Sequence, residues 1–181
     1  TRSNYEQQAQ TVFCKQIQEA WAHCLKAYHG IAWKHIGRAR ERLSIKQNST
    51  IKKLQNNWLN VGHQKKHMKK VSVCPICGIE EETQLHMYQC THPGAVKAIH
   101  HAFQQMREYL LQNNVPSQIG NTFTNMCESV CNKKPMKARY PCSPHLEKAI
   151  QSQSRLPHDF ILKGYISNGW FTALLQHDRS S

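Results

Sequence analysis

A mainly α fold is predicted by three features of this sequence. Apolar residues return every three or four positions in several segments, polar or Gly/Pro punctuation separates those segments, and one short stretch spaces Cys and His as metal ligands. The expected architecture is several amphipathic helices around one small knuckle, a β-hairpin plus helix stabilised by a bound metal ion. At 181 residues the chain can bury a modest core without disulfides.

Tyr5, Ala9, Val12, Phe13, Ile17, Ala20, Trp21, Cys24, Leu25 and Tyr28 mark one face of an N-terminal helix. Cys14 and Cys24, on or beside that face, read as small buried hydrophobes. Past Gly30, the residues Ala32, Ile36, Ala39 and Leu43 keep the helical step while Lys34, Arg38, Arg40, Arg42 and Lys46 crowd the remaining surface. A short basic helix follows from that pattern. The polar run Gln47-Asn48-Ser49-Thr50 reads as a break. Ser49 or Thr50 would then cap a third helix carrying Ile51, Leu54 and Trp58, with Gly62 as its stop. Residues 1–62 thus form a basic helical region.

The cationic run from His63 to Lys70 leads into Val71-Ser72-Val73, the expected first strand of the hairpin. Beyond the knuckle, Pro93 suits the first turn of a helix whose apolar positions Ala95, Ile99, Ala102, Phe103, Met106, Tyr109 and Leu110 run to Asn113-Asn114 and Pro116. Knuckle and helix together occupy 63–112. Residues 113–145 show no clear periodicity and read as a linker or irregular segment, with at most one short helix near Thr122 to Val130. Pro144 and Pro157 mark helix starts. In the C-terminal helical segment, 146–181, Phe160, Ile161, Tyr165, Ile166, Trp170, Phe171, Leu174 and Leu175 offer an apolar docking surface that Gly164 and Gly169 break into two turns of helix.

Cys74-Pro75-Ile76-Cys77-Gly78 is a tight turn that presents two thiolates on one side of a loop, with Gly78 supplying permissive backbone. His86 and Cys90 are four residues apart and project from the same helix face. Thr83 is a candidate N-cap for that helix, and Glu80, Glu81 and Glu82 lie at or before its positive end. The C-x2-C-x8-H-x3-C set therefore supplies four ligands to Zn2+. A tetrahedral ion so held has no open position, so the expected role is structural rather than hydrolytic. His92 competes with His86 as a ligand but is less well spaced from Cys90. A looser set of Cys127, Cys131, Cys142 and His145 lacks the knuckle turn and leaves a second metal open. His100-His101 reads as a surface or packing pair.

Lys and Arg number 24 against 11 Asp and Glu, a formal charge of +13 that attracts polyanions. The excess concentrates at Lys34, Arg38, Arg40, Arg42, Lys46, Lys52, Lys53, Lys65, Lys66, Lys69 and Lys70, opposed over residues 34–70 by the single acid Glu41. Such a surface neutralises several phosphates with little sequence reading, so DNA or RNA is the expected partner. Trp33 and Trp58 could stack on an unpaired base, although a core position is the more natural reading of both. The only aspartates, Asp159 and Asp178, are nineteen positions apart. Two-metal phosphoryl transfer needs clustered carboxylates, so this chain alone is not expected to be an enzyme.

No apolar run long enough to span a membrane and no signal-peptide core are visible, so no membrane partner is expected. The eight cysteines then suit a reducing compartment, and an intracellular, nuclear location is anticipated. Because it begins at Thr1, the chain reads as a fragment or processed product.

Cys74-Pro75-Ile76-Cys77-Gly78, then Glu82-Thr83, His86 and Cys90, resembles the zinc-binding region that follows the polymerase domain in LINE-type (non-LTR) retrotransposon and related reverse-transcriptase proteins. The Trp58-Leu59 helix end and the basic approach from His63 to Lys70 are also similar to what precedes that finger. The likeness covers residues 50–112. A Gly164-x-x-Ser167-x-x-Trp170 pattern looks like a tail found in some retroelement-derived chains. The resemblance implies an accessory region that engages template or target nucleic acid, with the polymerase upstream of Thr1. Two other expectations stand beside it: a zinc-shaped protein-interaction module that docks on such a polymerase, and a decayed element fragment without activity.

Overall fold

The computed structural model describes residues 29–59, 61–62, 72–137 and 142–180. The expected helix from Tyr5 to Tyr28 lies outside the described residues, as do Lys65, Lys66, Lys69 and Lys70. Among the described residues seven helices make the fold mainly helical: α1 (Trp33–Glu41), α2 (Ile45–Gln55), α3 (His86–Gln89), α4 (Pro93–Gln112), α5 (Ser117–Cys131), α6 (Pro144–Ser154) and α7 (Asn168–Ser180). Extended structure among the described residues is limited to two isolated antiparallel bridges, Ile31 with Ser167 and Val73 with Glu81. α3 packs on α4, α4 on α5, and α6 on α7.

α1 carries the basic pattern read from the sequence, and its approach is tied to the far end of the chain. The Ala32 N–H donates to the Ile166 carbonyl at 2.8 Å, and the Asn168 N–H donates to that of Gly30 at 2.9 Å. Ile31, Leu156 and Tyr165 close a small core there, with Trp33 edge-on to Tyr165 at 5.7 Å. Trp33 therefore packs, as expected.

α2 starts earlier than the sequence reading placed it. Ser44 and Gln47 form a capping box: the Gln47 N–H donates to Ser44 Oγ at 3.3 Å and the Ser44 N–H to Gln47 Oε1 at 2.9 Å. Two otherwise unpaired donors are satisfied, and the polar run 47–50 is carried into the helix rather than breaking it. The helix ends at Gln55, and Asn57 follows in the left-handed region at φ 55. Gly62 is therefore not its stop, and Trp58 lies beyond the helix and 62% exposed, against the core position expected of it.

The larger correction concerns residues 113–145. In place of at most one short helix, α5 runs for 15 residues and brings Ile119, Met126, Cys127, Val130 and Cys131 into the main core with Phe103, Leu146, Ile161 and Trp170. Its buried face also contains Gly120, Thr124 and Ser129, small or weakly polar residues that dilute the apolar period. Thr124 is fully buried because its hydroxyl donates to the Gly120 carbonyl at 2.8 Å.

Pro144 opens α6 as expected, whereas Pro157 precedes a series of turns over 158–164 that closes at Gly164, φ +76. Gly169 does not break the last helix. It sits inside α7 where a Cβ would run into Ser152 Oγ and come within 2.8 Å of the Ala149 Cα, so its missing side chain is what lets α7 meet α6. Gln153 organises the junction: it donates to the Tyr165 carbonyl and accepts from the Ser167 N–H and from Trp170 Nε1. The Gly164-x-x-Ser167-x-x-Trp170 pattern thus has a packing explanation. No helix among the described residues is long and apolar enough to cross a membrane.

Candidate metal centre

The centre is built from a turn and one helical turn. Val73 pairs with Glu81, the Cys74 N–H donates to the Glu80 carbonyl at 2.8 Å, and the Glu82 N–H to that of Ser72 at 2.6 Å. The Gly78 N–H returns to the Cys74 carbonyl at 2.8 Å, with Gly78 itself at φ 66, the left-handed conformation that glycine adopts without a Cβ clash. Cys74 and Cys77 are thereby held on the inside of the loop. On the other side, the His86 N–H donates to Thr83 Oγ1 at 2.9 Å, in the turn that leads into α3, although the N-cap position of α3 itself is Leu85 rather than Thr83. Cys90 follows directly after α3.

The donor atoms of Cys74, Cys77, His86 and Cys90 all lie within 4.8 Å of one another, and Cys77 Sγ is 3.5 Å from His86 Nε2. Cys74, His86 and Cys90 are buried and Cys77 is half-buried. These four side chains could bind one metal ion. Hydrogen bonds from the Glu80 and Ile79 backbone N–H groups, with smaller help from His86 and Cys74, lower the Cys77 thiol to about 6 against the resistance of burial. At Cys90 the His92 N–H pulls in the same direction, but burial and the neighbouring thiols of Cys77 and Cys74 outweigh it and leave the group raised.

Two positioning residues, Gln84 and Gln89, have no signal in the sequence, and a third, Glu80, has a place beyond the helix end expected for it. Glu80 Oε2 lies 3.3 Å from the buried His86 Nδ1, so the carboxylate faces the ring nitrogen opposite the one that approaches Cys77. Gln84 Nε2 donates to the Leu54 carbonyl at 2.6 Å and Gln89 Nε2 to that of Val130 at 2.9 Å, tying the cluster to α2 and α5. Nothing in the sequence pairs those glutamines with carbonyls 30 and 41 residues away.

His92 is outside the cluster: exposed, it caps α4 by accepting from the Gly94 N–H at 3.2 Å. Cys127, Cys131, Cys142 and His145 do not assemble into a second group among the described residues. Burial raises Cys127 far above the ordinary thiol range and pushes Cys131 up to about 11, with nearby Glu128 adding to the latter.

Of the basic residues, Lys34, Arg38 and Arg42 on and just after α1, and Lys46, Lys52 and Lys53 on α2, are exposed. Arg40 has another task. Its Nε donates to Asn48 Oδ1 at 3.0 Å and its Nη1 to Gln55 Oε1 at 3.2 Å, stitching α1 to α2. Comparison with known proteins found no matching family model, no similar curated protein and no similar solved structure.

Proposed function

We propose that Cys74, Cys77, His86 and Cys90 hold a structural Zn2+ and that the chain is a nucleic-acid-binding accessory region of a reverse-transcriptase-like retroelement protein. The observation that carries this reading is the convergence of three thiols and one imidazole in a chain whose α1 and α2 expose basic residues in excess of the single acid Glu41. Donors around tetrahedral zinc stand about 3.3–3.8 Å apart for bonds of about 2.0–2.3 Å. The 3.5 Å between Cys77 and His86 already meets that range, and the cluster as a whole is within about 1 Å of it. All four positions would be filled by protein, so the ion supplies cross-linking and charge neutralisation. The hairpin-and-helix knuckle expected from the sequence belongs to that zinc-bound form.

Zinc would secure the segment from Cys74 to Cys90, which Gln84 anchors to α2 and which runs directly into α4. Lys34, Arg38, Arg42, Lys52 and Lys53 then meet phosphates from a fixed scaffold, joined by the lysines of 65–70. The motif's likeness to the post-polymerase finger of LINE-type proteins supports the assignment to template or target handling in the nucleus.

Metal content and nucleic-acid binding across salt, on the parent and on Cys90→Ser, test the proposal together. One zinc per chain, lost in the variant, with affinity falling steeply as salt rises, is the expected result. The exposed Ile76 and Ile79 on the knuckle loop, the latter 81% exposed, favour a second reading in which the loop docks on a polymerase. One zinc per chain without nucleic-acid binding would select it.

A further inference from the structure

Between α4, α5 and the end of the knuckle lies a cavity of about 480 Å³ that the metal centre does not use. Its apolar wall is Val96, Ile99 and Phe103 of α4 with the half-buried Tyr88, and Gln89, Thr91 and Asn132 offer hydrogen-bonding edges. Arg107 and Glu128 face each other inside it at 2.6 Å and cancel in charge. The charge that remains in the lining is the ammonium of Lys133. The volume falls in the range of about 300–1,000 Å³ usual for small-ligand sites. A ligand with one flat apolar face, polar edges and a negative charge matches this lining.

Lys133 adds an independent observation. It occupies the left-handed region, φ 55, two residues past the end of α5. The corresponding positions after α2 and α4 are filled by Asn57 at φ 55 and Asn114 at φ 57. Asparagine tolerates that conformation; lysine adopts it at a cost in backbone energy. The side chain that replaces a better cap here is the one that brings an ammonium to the mouth of the cavity.

We infer that the cleft between α4 and α5 receives one unpaired nucleotide of a single strand, its base against Tyr88 and the Val96–Ile99 wall and its phosphate at Lys133. The inference rests on the nucleic-acid reading above and adds strandedness to it. A base inside a duplex cannot enter such a cleft, whereas an unpaired one stacks on an aromatic side chain without regard to sequence. Cys90 lines the same cavity, so the metal centre and the cleft share a wall.

The test measures binding of a labelled oligothymidylate strand and of a blunt duplex of equal length to the full chain purified with zinc, its Tyr88→Leu variant and its Lys133→Gly variant. Leucine at 88 removes the aromatic ring from the cleft and keeps an apolar side chain against the core. The expected result is tighter binding of the strand than of the duplex by the parent. Tyr88→Leu then weakens strand binding by about five-fold or more, the loss of one stacked base, and leaves the duplex unchanged. Lys133→Gly weakens the strand while holding or raising the melting temperature, because glycine relieves the left-handed backbone. Strand and duplex bound equally by all three proteins would overturn the inference and leave the nucleic-acid function standing. Binding of neither would remove both, and a Lys133→Gly protein that melts early with strand affinity intact would overturn the role given to Lys133.

Discussion

Two pairs of side chains in this molecule share one spacing and have opposite fates. His86 and Cys90 are four residues apart, as are Cys127 and Cys131, and each pair lies at a helix or its end. The first pair meets Cys74 and Cys77 with all donors within 4.8 Å; the second belongs to the main core with Met126, Val130 and Leu146. Cys77 is lowered to about 6 by backbone N–H groups aimed at its sulfur, while Cys131 is pushed up to about 11 by burial and Glu128. Helical spacing therefore aims two ligands at one side but does not make a site. A second pair of donors and a loop that turns its N–H groups inward are what gather thiols into a set that could bind a metal ion.

Removing the metal should separate the two regions most sharply. Chelation, or Cys90→Ser, is expected to cost the segment 72–90 several kcal/mol and its amide protection, since metal binding and local folding are one free energy at such sites. Hydrogen exchange read residue by residue should show α5 and α6 still protected. Joint collapse of both regions would break the comparison.

Cys127→Ser addresses the other side. A smaller and more polar side chain in place of the buried thiol is expected to lower stability by about 1–3 kcal/mol through lost packing and desolvation of the hydroxyl, with metal content unchanged. Loss of the metal in that variant would mean that the core cysteines contribute to the centre after all.

Glu80→Gln should leave the fold intact and weaken metal affinity by about ten-fold, measured by competition with a chromophoric chelator, because the carboxylate no longer orients His86. Unchanged affinity would show that the 3.3 Å approach has no energetic role.

The smallest effect is one of rate and pH in the metal-free chain. Cys77 should alkylate first near neutral pH and Cys127 last, as read by mass spectrometry. The signs of the stability linkage also differ. The lowered Cys77 contributes stability that is present above pH 9, its ordinary value, and fades as pH falls through about 6. The raised Cys131 contributes stability that is present below pH 9 and fades as pH rises through about 11.

Much of the centre was legible in the chain because its parts are close neighbours. Cys74, Cys77, Gly78, Thr83, His86 and Cys90 act within one loop and one helical turn, where spacing and capping chemistry decide geometry. α1 and α4 were legible for the same reason, from period, Pro93 and the Asn113-Asn114 stop. α2 was misplaced because Ser44 and Gln47 announce a helix start only when their reciprocal bonds are considered together. α5 was missed because its buried face is partly Gly, Thr, Ser and Cys, residues whose burial depends on what packs over them.

The mainly helical class, the four candidate ligands, the basic residues exposed on α1 and α2 and the ends of α4 are all readable from local pattern. That Cys127 and Cys131 are core, that Gly169 is a contact rather than a break, that Arg40 is a brace and that Gln84 and Gln89 moor the Cys/His cluster emerges only when the helices are packed. The physical reason is range. Turns, caps and helical periods are set by residues within a few positions of one another, whereas burial and the Gln84 and Gln89 bonds join partners tens of residues apart in the chain.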